Sequence, residues 1–412
     1  MVKRMSLKQF VFIIPLLCFM GVFSIYPVVT SFMYTFFDYR TNDQQYNSFY
    51  MHEKFNEALF LEDCQYVNYF ISADITLVDE EDQKAFAAVQ EKVNVMMEKY
   101  TTEGAAEEAG PREITSAEKE EIEAFISEIT EETEAVYAKY PDVQFYNKEN
   151  LPTILEGLSG TIVQSNYIGT ANYQKLITDG RFGKALLHTL VFMFTSVAAE
   201  FILGMGLALI MSKSMRGIGG VRTIALIPWA IPTAVSALIW SYLYDGSYGI
   251  ISKIFSEIGL IKSQADMLLT TQGAMASAIL ADIWKTTPYM ALLLMAGLQT
   301  IDRGLYESAA IDGASPVRSF FSITLPLMKP SILVALLFRT LDSFRVYDLI
   351  SVLTGGGPGN GTETLSVYAY KLIFNQSNYG YGSTVVVGMF VFVAIIAILY
   401  VKVLGAEVIS ND

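Results

Sequence analysis

The sequence predicts an all-α, polytopic membrane protein with one polar insert, and three observations carry that expectation. Hydrophobic residues fill 52% of the 412 positions and charged residues only 17%, against roughly a quarter charged in soluble domains. Several apolar runs reach about 20 residues, the length at which a helix crosses hydrocarbon. Between the first two runs the hydropathy collapses: residues 37–183 hold 29 acids and 11 bases, so the formal charge of −14 arises there and the remainder of the chain is slightly basic. The expected boundaries are a cytoplasmic N-terminus with the first span (1–40), an acidic extracytoplasmic insert (41–182) and a core of five further spans (183–412).

Along the chain, Lys3, Arg4 and Lys8 precede an apolar run over about 10–37. That run is longer than the roughly 7–15 residues of a signal-peptide core, and no A-x-A-like site follows. It reads as a retained first span with its N-terminus in the cytoplasm. In the insert, Phe86, Val89, Val93, Met96 and Tyr100 recur at helical spacing, as do Ile122, Phe125, Ile129, Val136 and Tyr140. Thr115 and Glu118 form a capping box at the start of the second stripe. With the polar linker TEGAAEEAGPRE (102–113) between them, the stripes predict an antiparallel, mainly helical hairpin.

Span two, about 184–211, carries Gly204 and Ala208, a small-residue face that admits a neighbouring helix. It also carries Glu200, which costs about 2.5–3.5 kcal/mol at mid-membrane and so should face protein or water. Span three, about 223–244, contains Pro228 and Pro232 and must kink or unwind. Span four, about 273–298, carries Asp282, Lys285 and Pro288, and Asp282 and Lys285 can pair on one face. Span five, about 331–353, presents Arg339, Asp342, Arg345 and Asp348 at intervals of three, a ladder covering about half of one helix. Span six is about 383–403. Short-loop Lys and Arg cluster at the N-terminus, 213–222 and 303–329, which puts both termini inside.

The glycine-rich stretch TGGGPGNGTET (354–364) lacks the Gly-Lys-Ser/Thr ending of a phosphate-cradling loop, and no such ending occurs elsewhere. The chain is therefore expected to hydrolyse no ATP and to bind no cofactor itself. Cys18 and Cys64 give no disulfide framework. His52 and His188 suggest no metal cluster, nothing in the charge pattern points to nucleic acid, and no catalytic residue is assigned.

The stretch Glu307–Pro330, between two apolar segments, is polar and punctuated. Glu307–Ile311 forms about one helical turn, Gly313 suits a left-handed helix end, and Ser315 caps a second helix with Pro316 at its first position. Phe320, Phe321 and Ile323 lie on that helix, and Pro326 is expected to push Leu325 out of helical geometry.

Glu307-x-Ala309-Ala310-x-Asp312-Gly313-Ala314, followed by Leu325-Pro326 and Pro330, resembles the EAA loop of ABC importer permeases. WKTTPY (284–289), AGLQ (296–299), Asp348–Pro358, TETL (362–365), Tyr370–Phe374 and GTANY (169–173) are similar to the carbohydrate-uptake permeases of the maltose and glycerol-phosphate type. The match is to the maltose-permease-F-like rather than the G-like partner and covers most of 165–405. It implies six transmembrane helices of the type I importer fold, with the insert between helices 1 and 2. It also implies a cytoplasmic coupling loop at 300–330 that sits in a groove of the ATPase.

The implied function is uptake of a sugar or oligosaccharide across the bacterial cytoplasmic membrane. The implied partners are a G-like second permease, an ATPase dimer that binds ATP and Mg²⁺, and an extracytoplasmic solute-binding protein. By position, the resemblance maps solute contacts onto Lys285, Tyr289, Ser343 and Val346, following Trp284, with Asp342 and Arg345 beside them; Arg and Asp stand where the family carries neutral amides, so either the solute differs or these charges only tie helices together. Two other classes fit the sequence less well. A membrane-anchored interaction protein has no reason to carry buried charges and broken spans, and a secondary transporter would be expected to show an internal repeat.

Overall fold

The computed structural model describes residues 7–43, 46–100, 111–213 and 216–410, with side chains described from 13 to 403. Lys3, Arg4 and positions 102–110 of the insert linker lie outside the described residues. The chain divides into two units, Met1–Thr35 with Ala171–Asp412, and Phe36–Thr170. The first unit opens with α1 (Leu7–Met20), which passes through a wide π turn at Gly21–Ile25 into α2 (Tyr26–Tyr34). The stretch Ile13–Tyr34 is long and apolar enough to cross a membrane.

The second unit holds four main helices, not the hairpin alone. These are α3 (Glu57–Asp74), α4 (Glu80–Tyr100), α5 (Ser116–Lys139) and α6 (Leu151–Ser159). A small sheet accompanies them: β1 (Lys54–Phe55) pairs antiparallel with both β2 (Arg112–Glu113) and β3 (Ile162–Val163). The two expected stripes do face one core, where Phe86, Val89, Val93, Ile122, Phe125 and Ile129 are buried together. They share it with Phe60, Cys64, Val67 and Ile71 of α3, whose spacing of four, three and four is itself helical. The capping box forms: Thr115 accepts from Glu118 N, and the Glu118 carboxylate accepts from Thr115 N at 2.8 Å.

Polar pins fix this unit. The Asp74 carboxylate accepts from Tyr137 Oη, Tyr146 N and Asn147 N at 2.9, 2.8 and 3.1 Å. Lys92 on α4 bridges to Glu128 and Glu132 on α5 at 2.7 and 2.6 Å. Asp63 is the exception: it is buried on α3, faces Gly157, and its Oδ2 has no hydrogen-bond partner among the described residues. The chain enters and leaves the unit side by side, with a Phe37–Tyr167 β-bridge and Ile168 N donating to Phe36 O at 2.9 Å.

After α7 (Ala171–Thr178), the core of the first unit is built on α8 (Gly180–Met211). The next apolar segment is broken. α9 (Ile218–Ala230) and α10 (Thr233–Leu243) meet at 89°, as the prolines required. Short helices α11 (Ile250–Glu257) and α12 (Asp266–Leu269) lead into α13 (Thr271–Leu298). Gly204 is where α8 and α13 touch: a Cβ there would lie 2.8 Å from Met290 Cγ and 3.3 Å from Ala291 N. The bare glycine is thus what lets the two axes approach.

The loop that follows contains α14 (Arg303–Ile311), α15 (Pro316–Ser319) and α16 (Leu325–Leu327). Then come α17 (Lys329–Phe344), α18 (Asp348–Leu353), α19 (Leu365–Tyr370) and α20 (Tyr379–Ser410). By length and composition Ile13–Tyr34, Gly180–Met211 and Tyr379–Val403 suit a membrane as single helices, and the bent pairs Ile218–Leu243 and Pro316–Phe344 suit it together.

Two expectations fail. Leu325 keeps helical angles (φ −64°, ψ −43°) although Pro326 follows it. The wide π turn over Phe320–Thr324 absorbs the strain that a regular turn could not. The span-five ladder does not run along one helix: α17 stops at Phe344, so Arg345 and Asp348 lie beyond its end.

Candidate functional site

Two places concentrate the chemistry. The first is a cavity of about 510 Å³ where three interruptions meet: the α9–α10 break, the α17–α18 break and the polar middle of α13. Its lining includes Trp229–Thr233, Asp282, Lys285, Arg339, Asp342 and Ser343–Leu349 in part. Of the residues placed on the solute pathway by resemblance, Lys285, Asp342, Ser343, Arg345 and Val346 line it. Tyr289 stands beside it, stacked on Trp229 with ring centroids 5.5 Å apart and planes 11° from parallel. Trp284 faces another way, edge-on to Trp240, in a separate apolar recess with Tyr244 and Ile251.

Behind the cavity lies an ion network that sequence spacing did not reveal. Arg339 is 1% exposed and Glu200 fully buried. The Arg339 guanidinium donates to both Glu200 oxygens and to Asp282 Oδ2, and its Nη1 donates to Asp342 Oδ2 at 2.9 Å. Thr286 Oγ1 donates to Glu200 Oε1 at 2.7 Å. Three helices, α8, α13 and α17, are thereby tied through one side chain. Charge-assisted bonds of this kind are the strong ones, and each partner depends on the others to avoid an uncompensated buried charge. Glu200 thus meets its expectation of facing protein. Asp282 pairs with Arg339 rather than with Lys285.

Within the network Asp342 is the most open member, with its side chain 63% exposed. Ser343 Oγ lies 3.2 Å from Ser196 Oγ between helices. Arg345 is exposed, and Nε donates to Leu341 O at 3.1 Å. In the glycine-rich stretch, the Gly357, Gly361, Thr362 and Glu363 N–H groups donate within the loop. The Glu363 carboxylate anchors it to Arg181 at 2.8 Å and to Lys371 at 2.9 Å.

The second place is the Glu307–Pro330 elbow. α14 starts on Asp302, whose side chain accepts from Gly304 N, and is longer than the one turn expected. It ends as the sequence requires. Gly313 sits at φ +76°, Gly313 N donates to Ala310 O, and Ala314 N donates to Ala309 O, the two bonds of a Schellman end. Ser315 Oγ accepts from Arg318 N and Pro316 occupies the first turn of α15. Glu307, Ala310, Asp312, Gly313 and Pro326 are exposed, whereas Ala309, Ala314 and Leu325 are half-buried. Ile311, Val317 and Phe321 are exposed by 86, 67 and 62%. Rigid, capped and apolar-tipped, this elbow has the form of a docking part. Beneath it, Lys213, Gln299, Arg303, Tyr306 and Phe320 help to line a cavity of about 1010 Å³.

No group of three or more possible metal ligands occurs among the described residues.

Comparison with known proteins gives one picture. Residues 185–406 match the family described as binding-protein-dependent transport system inner membrane component. The trehalose/maltose transport permease MalF of Thermococcus litoralis is 45% identical over 242 residues, 59% of this chain and 81% of that protein. The trehalose transport permease SugA of Mycobacterium tuberculosis is 40% identical over 240 residues, covering 58% and 76%. Among solved structures, a bacterial alginate ABC transporter in complex with its alginate-bound periplasmic protein shares 25% identity at a TM-score of 0.51, covering 57% of this chain and 82% of that one. The family is one of transport permeases rather than enzymes. With the matched core spanning α8 to α20, this chain belongs to the binding-protein-dependent transport inner membrane components, as a permease subunit of an ABC importer.

Proposed function

We propose that this permease moves a sugar or oligosaccharide, delivered by an extracytoplasmic binding protein, through the cavity at the broken spans. The observation that carries the reading is the cavity itself. It joins the stacked Trp229–Tyr289 pair, whose faces can cover C–H patches of a sugar, to Asp342 and Arg345, which can meet its hydroxyls. The named relatives transport trehalose and maltose, which supports a sugar as solute. In this reading Tyr289, Asp342, Arg345 and Val346 face the solute, and Ser343 supports the wall from between helices.

α13 is the remaining span, the fourth in chain order, and it carries the network and lines the path rather than lipid. The termini and the Glu307–Pro330 elbow are cytoplasmic, and the Phe36–Thr170 unit is extracytoplasmic, where it contacts the binding protein. Glu307, Ala309, Ala310, Asp312, Gly313, Ala314, Leu325 and Pro326 form the coupling surface for an ATPase dimer that binds ATP and Mg²⁺, and a second, G-like permease completes the path. ATP drives the change only by contacting the two states differently, and a rigid elbow transmits such a difference.

The test is ATP-driven uptake by the importer reconstituted with its partners in vesicles. Labelled trehalose and maltose would each be competed with unlabelled sugars and amino acids. Accumulation of either sugar, competed by sugars alone, is the expected result. Uptake of amino acids with no response to any sugar would overturn the reading.

A further inference from the structure

The resemblance placed Lys285 on the solute path, but its ammonium is engaged elsewhere. Nζ donates to Ile231 O at 2.6 Å and to Trp229 O at 3.3 Å, and meets no carboxylate among the described residues. Those two carbonyls belong to the break between α9 and α10. Ile231 (φ −73°, ψ 133°) and Pro232 (φ −54°, ψ 140°) are extended there, and the bonding of α10 resumes with Ser236 N to Pro232 O. In an unbroken helix, Trp229 O would accept from Thr233 N and Ile231 O from Val235 N. The bend removes both donors, and Pro232 removes a third by lacking an N–H. Away from water each orphaned carbonyl is costly, so broken spans persist where protein groups or a water-lined cavity re-satisfy them.

Lys285 is such a group, and it is only 7% exposed. One turn along α13, Tyr289 stacks on Trp229. Positions four apart share a helix face, so one face of α13 holds the break by two contacts of different kinds. The ammonium holds the backbone and the ring holds the side chain.

We infer that Lys285 is a positioning residue: it caps the interrupted span, fixing Trp229 and the cavity wall, and does not itself bind the solute. The inference rests on the reading of this cavity as the solute path only for its functional consequence. The capping is measurable without any solute. A positive charge suits the task because it can serve two carbonyls at once through one flexible stem. Its charge is meanwhile balanced within a cavity that also holds Asp282 and Asp342.

The experiment uses the full importer in vesicles, with Cys18 replaced by Ser. Thr233, at the start of α10 and on the cavity lining, becomes the reporter through Thr233→Cys. Cys64 can stay, since it is fully buried. The rate of modification by a charged, water-soluble maleimide is measured without nucleotide and after trapping with ATP and vanadate. Lys285→Met should raise the nucleotide-free rate about tenfold, since a lost charged hydrogen bond is worth at least that factor. Lys285→Arg, which keeps the donors, should restore most of the original rate. Pro232→Ala returns a backbone donor and lets the helix extend, so Lys285→Met in that background should have a clearly smaller effect, a non-additive cycle.

Unchanged labelling in Lys285→Met, or equal effects with and without Pro232→Ala, would overturn the inference. So would a gain in labelling that Lys285→Arg fails to reverse. Should Lys285→Met fail to assemble, rescue of assembly by Pro232→Ala supports capping, and failure of that rescue refutes it. Trehalose-stimulated ATPase adds a second readout. A positioning role lowers the maximal rate and leaves half-saturation within about twofold, whereas a ligand role raises half-saturation at least about tenfold. Absence of trehalose stimulation in the parent counts against the sugar reading alone, because the labelling arm still decides the capping.

Discussion

Arg339 on α17 grips both carboxylate oxygens of Glu200 on α8, Nη2 reaching Oε1 at 2.9 Å, with neither side chain more than 2% exposed. The same guanidinium takes Asp282 from α13. One guanidinium therefore serves two buried carboxylates, and the three helices have no independent way to satisfy them.

Removing that charge should be severe. Arg339→Met strands Glu200 and Asp282, and breaking a buried ionic group by one partner costs about 3–5 kcal/mol. Assembled importer recovered from membranes, and its melting temperature, should both fall sharply. A charge-free core, with Leu at 200, 282 and 339 together, should recover most of the loss. Equal yields of Arg339→Met and wild type would refute the dependence.

The elbow separates assembly from coupling. A Cβ at Gly313 meets nothing within 4 Å, but φ is +76°, so the penalty of Gly313→Val is purely one of backbone conformation, on the order of 1–3 kcal/mol. The variant should assemble normally yet lose solute-stimulated ATP hydrolysis. Gly313→Asn, which tolerates the left-handed region, should retain most of it. Full stimulation in the valine variant would remove the elbow from the coupling path.

Cysteines on either side of the end of α17 should behave differently. Val346 is half-buried on the cavity lining, whereas Ser343 is 1% exposed and bonded towards Ser196. Val346→Cys should react with a charged maleimide and be protected by solute trapping, and Ser343→Cys should react at least about tenfold more slowly. Similar rates at both positions would mean that the α8–α17 contact opens in the working protein.

The insert should carry a pH signature. Burial first, then the neighbouring Glu62 charge, pushes the Asp63 carboxyl from 3.8 up to about 6. Its folded value thus lies above its unfolded one, so folding favours the protonated form. The group is least harmful below about pH 4, and stability is lost as pH rises through about 6. Asp63→Asn should slow amide exchange in α3 at pH 7.5, a gain on the order of 1–3 kcal/mol, with little effect at pH 4. The opposite pH order would show that Oδ2 has an ionic partner in solution.

Asn56 N donates to Thr161 O at 2.8 Å, which marks a clean excision. Deleting 57–160 and closing the gap with a short Gly-Ser linker should leave basal ATPase activity intact. It should raise the half-saturating concentration of binding protein, more at low salt than at high, since charge contacts act on association rate. An unchanged half-saturation at both salts would leave the insert without a docking role.

Much of this was legible because some signals are local. Ser315, Pro316 and Gly313 state the elbow's geometry within a few residues, Thr115 and Glu118 state a helix start, and Pro228 and Pro232 state a break. What failed depended on partners distant in sequence or on alternatives open to the backbone. Pro326 does not expel Leu325 from its helix, because the preceding chain can widen by one residue per turn. The Arg339–Asp348 spacing could not say that α17 would end between its members. Nor could Asp282, three residues from Lys285, announce that it would be claimed by Arg339, 57 positions away. The α3 stripe Phe60–Cys64–Val67–Ile71 was readable by spacing. The two-residue strands were not, being too short to show a period.

The paired doorway at Phe36–Ile168 and Phe37–Tyr167 bears on ancestry. A segment whose two ends are hydrogen-bonded to each other presents the rest of the chain with the same short span whatever its length. Loop-closure entropy grows only logarithmically, about 0.6 kcal/mol per doubling. Genes of this kind can therefore gain, lose or exchange the whole intervening module in a single recombination at that doorway, with the permease folding as before.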